Sequence, residues 1–157
     1  MAALHSALRL KGACYMRGRN NTDDSRYYFD WLEFAAADLL AAKVLCTNGS
    51  CNSLSAFHCQ QAIEKALKGY ALYKTGHLVD GHNLPWLCRN ASRYDPAFKE
   101  WLDESAAMAR LYIETRYPSD KQLKISDERL HVILDMAEDM YNFICENVYG
   151  KEKMAHS

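Results

Sequence analysis

The stretch that most constrains the fold is Ser53 to Tyr73, SLSAFHCQQAIEKALKGYALY. Ala56, Cys59, Ile63, Ala66/Leu67 and Tyr70 recur in it at steps of three and four, the spacing of one face of an α-helix. The same stretch carries a polar stripe. Gln61, Lys65 and Lys68 follow one another at steps of four and three, flanked by Gln60 and Glu64. One long helix, from about Asn52 to Lys74, is therefore predicted to bury one face and present a chemically loaded second one. Gly76 supplies its stop.

The flanking sequence repeats the helical period. A first helix is predicted from about Arg26 to Cys46, with Tyr28, Trp31/Leu32, Ala35, Leu39, Ala42 and Leu45/Cys46 inward. Asp23, Asp24 or Ser25 is its expected cap, and Gly49 in the following TNGS its expected stop. After Gly76, HLVDGHNL reads as loop, followed by one short helix from Pro85 to about Ser92. Asp95-Pro96 then opens a third long helix, Asp95 capping and Pro96 in the first turn. Phe98, Trp101/Leu102, Ser105, Met108/Ala109 and Tyr112 line it, and Pro118 prevents its continuation. Ser126 caps the last long helix, which runs to about Val148. Its stripe is Leu130, Ile133/Leu134, Ala137, Met140/Tyr141, Ile144 and Val148, and Gly150 closes it. No segment alternates as a strand does. Short connections make successive helices antiparallel neighbours. The expected fold is all-α, an up-and-down antiparallel bundle of four long helices plus one short helix.

With 157 residues the chain holds one such domain. Residues 23–150 form the expected bundle, and 151–157 a polar tail. Residues 1–22 form a basic arm, with four cations (Arg9, Lys11, Arg17, Arg19) and no acid before Asp23. The other 15 of the 19 basic residues face 20 acids, leaving a mildly acidic body. Net charge of −1 gives no general attraction to nucleic acid or membrane. Six cysteines without a CxxC fit neither a zinc knuckle nor a thioredoxin-like motif. Cys59, Cys88 and Cys145 fall inside helical patterns, as small buried hydrophobes do. A reducing, cytoplasmic setting is the expectation. No apolar run approaches the roughly 18–20 residues of a membrane span.

Three places could carry chemistry. On the polar stripe, Lys65 and Lys68 could meet a phosphate or an acidic partner, with the glutamines reading a polar group. The plainer alternative is a solvated face whose Glu64–Lys68 pair adds only about 0.2–0.5 kcal/mol. In the loop, His77 and His82 bracket Asp80. A metal there would need Cys59 or Asp80 as a third ligand at no known spacing, so no metal is expected. His82 either contacts a ligand or bonds the start of the short helix. In TRYP, Pro118 biases Tyr117 toward extended backbone, which fixes where Arg116 points. Arg116 could then hold a phosphate or carboxylate bidentately, or pair with Glu64 or Asp127. There is no nucleophile–base arrangement, no Gly-rich phosphate loop and no HExxH. Neither a catalytic residue nor a cofactor is assigned.

Taken together, FHCQQAIEKALKGYAL, HNLPWL and ETRYP, preceded by WLEFAAADLLAAKVL, resemble the HEPN domain family (higher eukaryotes and prokaryotes nucleotide-binding). The similarity runs from about Tyr28 to Val148. It implies a bundle of four or five helices that dimerises and binds a nucleotide. It also implies a minimal nucleotidyltransferase as partner in a toxin–antitoxin-like pair. Gln61, Glu64, Lys65, His82, Arg116, Tyr117 and Pro118 match the signature positions. Other HEPN proteins are metal-independent RNases marked by Arg, four to six residues, then His. No arginine of this chain has a histidine at that spacing. The expected function is a non-catalytic, homodimeric module with Gln61, Lys65, Lys68, His82, Arg116 and Tyr117 toward a nucleotide, a phosphate group or RNA. One alternative is an RNase whose His82 and Arg116 meet in space. The other is a helical bundle that only binds proteins.

Overall fold

The computed structural model describes residues 24–116 and 124–150, with side chains only to 111 in the first segment. Five α-helices follow in order: α1 (Tyr28–Cys46), α2 (Asn52–Thr75), α3 (Leu84–Ala91), α4 (Leu102–Arg116) and α5 (Asp127–Tyr149). A 3₁₀ segment, Pro96–Trp101, leads into α4. No strand occurs among the described residues. The arm 1–22 and the tail 151–157 lie outside them.

α2 is the hub and packs against α1, α3, α4 and α5. Its contacts with α1 run antiparallel: Ser55 donates to the Ala42 carbonyl at 2.7 Å, and Gly69 lies against Tyr28 and Leu32. α5 also runs antiparallel to α1. Tyr141 donates to the Leu32 carbonyl at 3.2 Å, Lys43 pairs with Glu138, and Cys46 sits beside His131. The up-and-down bundle follows. Ala56, Cys59, Ile63, Ala66, Leu67 and Tyr70, the predicted inner face of α2, are all buried.

Small residues bring α1 and α2 close. Ala35 and Ala42 are fully buried on α1. On α2, a Cβ added to Gly69 would stand 3.1 Å from the Tyr28 carbonyl and from the Trp31 Cβ. Buried Cys59, Cys88 and Cys145 hold their protons, since burial pushes their thiols up, Cys59 to about 12. Among the described cysteines none forms a disulfide. No helix of the described chain is long and apolar enough to cross a membrane.

The helix ends correct several expectations. The N-cap of α1 is Tyr27, with no side-chain cap, not Asp23, Asp24 or Ser25. Ser25 instead accepts from the Tyr27 amide and donates to Asp30. α1 ends on Thr47 in right-handed geometry, two residues before Gly49. The third long helix does not begin as an α-helix. Asp95 caps Ala97 at 2.9 Å as expected, but the first turns are 3₁₀. Tight i→i+3 turns are frequent at helix N-termini. Phe98, Ser105 and Met108 are buried as predicted, and Leu111 joins them. Ser126 accepts from Arg129 and caps α5, and Gly76 ends α2 at φ +70°.

Candidate functional site

The polar stripe of α2 is not a solvated face. Gln60 is fully buried, and Glu64 and Lys68 are 5% and 7% exposed. A buried carboxylate persists only when donors surround it, and Glu64 has three. Lys68 Nζ donates to Oε1 at 3.1 Å, His82 Nδ1 donates to the same oxygen at 2.7 Å, and Gln60 Nε2 donates to Oε2 at 3.3 Å. Gln61 extends the chain by donating to Gln60 Oε1 at 2.7 Å. The Lys68 ammonium also lies over the Trp31 ring at 5.8 Å, which ties the cluster to α1.

A second cluster is built on Asp38, on the α1 side of the same seam. Lys65 Nζ donates to Asp38 Oδ2, and His58 Nδ1 donates to Oδ1 at 2.9 Å. His58 and Lys65 stand seven apart, two turns of α2, so one carboxylate on α1 spans both. The two clusters lie on one seam because α1 and α2 are antiparallel, with Trp31 opposite Lys68 and Asp38 opposite Lys65.

Both imidazoles share one electrostatic arrangement. A carboxylate only accepts, so each Nδ1 carries its proton toward Asp38 or Glu64. In the neutral ring that leaves Nε2 as a lone pair facing away from the carboxylate. The His82 side chain is 67% exposed over a Glu64 whose own side chain is 7% exposed. His82 therefore stands at the solvent edge of a buried ionic cluster. The loop that carries it turns at Gly76 and Gly81, both with positive φ.

The predicted residues are placed as follows. Gln61, Lys65, Lys68 and His82 all join the seam. Lys65 and Lys68 do so as internal counter-ions rather than as free charges. His82 does not start α3: Asn83 does, accepting from Trp86 at 2.8 Å. His77 turns back on its own loop, bonding the Thr75 carbonyl at 2.8 Å. Arg116 is the last residue of α4, and its side chain lies outside the described residues. Tyr117 and Pro118 also lie outside them. The pairings suggested for Arg116 therefore fall outside the described residues; on the acid side, Glu64 carries the three donors above and Asp127 accepts from Asn52 at 2.7 Å. No group of three or more metal-ligating side chains occurs among the described residues.

Two members of the seam, Asp38 and His58, are not among the residues that sequence reasoning nominates. His58 falls on the stripe of Gln61, Lys65 and Lys68, three residues before Gln61, and that register is the available signal. Asp38 has no such signal. It sits in an alanine- and leucine-rich helix twenty residues upstream of His58, and only the packing of α1 on α2 brings it there.

A HEPN domain family profile matches residues 28–148, which is most of the chain. Among curated proteins no match was found. Two solved structures share the fold. TT1696 from Thermus thermophilus aligns with a TM-score of 0.69 at 24% identity, covering 78% of this chain and 98% of that one. ST0689, an archaeal HEPN homologue, aligns with a TM-score of 0.62 at 23% identity over the same shares. The site is thus built on α1 and α2 of a domain whose whole matched length is one family's, and the chain belongs to the HEPN domain family.

Proposed function

We propose that this chain is a non-catalytic HEPN module that forms a homodimer and binds the phosphate end of a nucleotide along the α1–α2 seam. The observation that carries the reading is the seam itself. Two carboxylates, two lysines, two glutamines and two histidines are assembled at a contact that is otherwise close-packed on small and apolar residues such as Ala35, Leu39, Ala42 and Gly69. Burying ions costs more than burying apolar groups of the same size. A bundle built only for stability has no need of them there.

Dimerisation is supported by the outer face of α1. Phe34, Leu40 and Val44 are 65%, 64% and 61% exposed on α1, whose charged residues are Asp30, Glu33, Asp38 and Lys43. A minimal nucleotidyltransferase is the proposed protein partner, on the strength of the family resemblance. Arg116 and Tyr117 are proposed to close the phosphate site from the end of α4.

A thermal-shift panel tests this. ATP, GTP, their diphosphates and a short RNA are compared on wild type and Arg116→Ala. A ligand at about 100 times its Kd stabilises the native state by roughly 2.7 kcal/mol. A nucleotide-specific shift that the variant loses is expected. No shift with any ligand would leave the third reading, a bundle that binds only proteins.

One observation favours the second reading, a metal-independent RNase with a rearranged His82/Arg116 site. His82 is held through Nδ1 by a buried carboxylate and presents Nε2 outward, the arrangement of a general base. Cleavage of labelled single-stranded RNA in EDTA, lost in His82→Ala, would establish it over the binding module.

A further inference from the structure

The charges of the seam cancel. Asp38 is matched by Lys65 and Glu64 by Lys68, each in direct contact. With both histidines neutral, the seam offers an incoming anion no net positive charge. It also offers no donor at either imidazole edge. The Nδ1 protons are committed to Asp38 and Glu64 at 2.9 and 2.7 Å, so the remaining Nε2 atoms are lone pairs, which repel a phosphate oxygen. Protonation reverses both conditions at once. It adds a positive charge and turns Nε2 into an N–H donor, while the Nδ1 bond to the carboxylate is kept and strengthened.

We infer that His58 and His82, rather than Lys65 and Lys68, are the groups of the seam that recognise the phosphate, and that each does so as an imidazolium, so that nucleotide binding takes up protons. This rests on the nucleotide-binding reading above and adds His58 to the site. The charged groups around His82 are Glu64 and Lys68 on α2 and Asp80, two positions earlier in its own loop. Those around His58 are Asp38 on α1 and Lys65 on α2. The lysines then serve as positioning residues. They hold the Asp38 and Glu64 side chains in place, so that the carboxylates can orient the rings.

A ring that starts neutral and binds as an imidazolium must draw its second proton from the buffer. The test is calorimetric titration of the full chain with magnesium-free ATP at pH 6.0 and 8.0. At pH 8.0 the nucleotide's own phosphates are deprotonated. Repeating the titration in two buffers of different ionisation enthalpy then reads proton uptake directly.

The expected result is uptake of about one to two protons at pH 8.0, with affinity on the order of tenfold or more higher at pH 6.0. His58→Gln and His82→Gln, whose amides can still donate to Asp38 and Glu64, should each remove about half of the uptake, and the double variant all of it. ATP that binds without proton uptake overturns the inference and leaves the nucleotide-binding reading standing. So does uptake that survives in the double variant. No ATP binding at either pH removes both. Should a variant fail to fold, the wild-type uptake alone decides, since the inference requires it and binding through lysines does not.

Discussion

Glu64 is held in the interior by Lys68, His82 and Gln60, and it is the carboxylate that Lys68 contacts among the described residues. Removing the acid strands a buried ammonium. Glu64→Ala should therefore destabilise the domain by about 3–5 kcal/mol in urea unfolding, the cost of breaking one side of a buried pair. Lys65→Ala is expected to cost far less, because Asp38 keeps His58 and more solvent. Equal losses would mean that the Glu64 cluster is as solvated as the Asp38 cluster. Two buried acids of another kind set an alkaline limit. Burial pushes the Cys59 thiol from 9.0 to about 12 and the Tyr70 hydroxyl from 10.0 to about 12. The unfolded chain releases these protons first, so it binds fewer protons than the native state and stability falls as pH rises. That contribution is whole below about pH 9 and is lost progressively toward pH 12. A melting temperature that stays flat from about pH 8 to 11 would contradict it.

The α1–α2 contact decides where the site can be. Gly69→Ala places a methyl 3.1 Å from the Tyr28 carbonyl and the Trp31 Cβ, neither of which is the free end of a flexible side chain. Alanine gains up to about 1 kcal/mol of helix propensity over glycine. Overpacking typically costs about 1–3 kcal/mol, so the net effect should be destabilising and should loosen Lys68 from Trp31. A rise in melting temperature would show that the helices can part without strain. At the other end, Ser126→Ala removes the cap of α5 and should cost about 1 kcal/mol. The helices themselves are legible in the sequence. The inner faces of α1, α2 and α5 follow from the spacing of Leu32, Ala35, Leu39, Ile63, Leu67, Leu130 and Ile133, all of which are buried. Helix starts are less legible, because the choice of Tyr27 over Ser25 as cap, and of 3₁₀ over α after Pro96, depends on local packing. The stripe on α2 is legible as a stripe. Its burial is not, since the partners that allow it lie on α1 (Asp38, Trp31) and on the loop before α3 (His82), far apart in the chain.

For the whole molecule, the outer face of α1 is a surface that the described bundle leaves open. Phe34, Leu40 and Val44 project from it along more than two turns, and Leu54 at the start of α2 is 53% exposed. If this face makes the homodimer, Leu40→Asp with Val44→Asp should convert a dimer to a monomer in sedimentation analysis while leaving the helical content unchanged. A wild type that already sediments as a monomer would remove the dimer from the account.

The central claim is that a nucleotide binds at two carboxylate-oriented histidines. Long-range ¹H–¹⁵N spectra of the imidazoles, recorded at about pH 8 with and without ATP, test it most directly. The account predicts that His58 and His82 begin as the Nδ1-protonated tautomer and move toward the doubly protonated form as ATP is added, while His77 and His131 stay unchanged. Resonances of His58 and His82 that do not respond to ATP, or a response confined to other histidines, would contradict it.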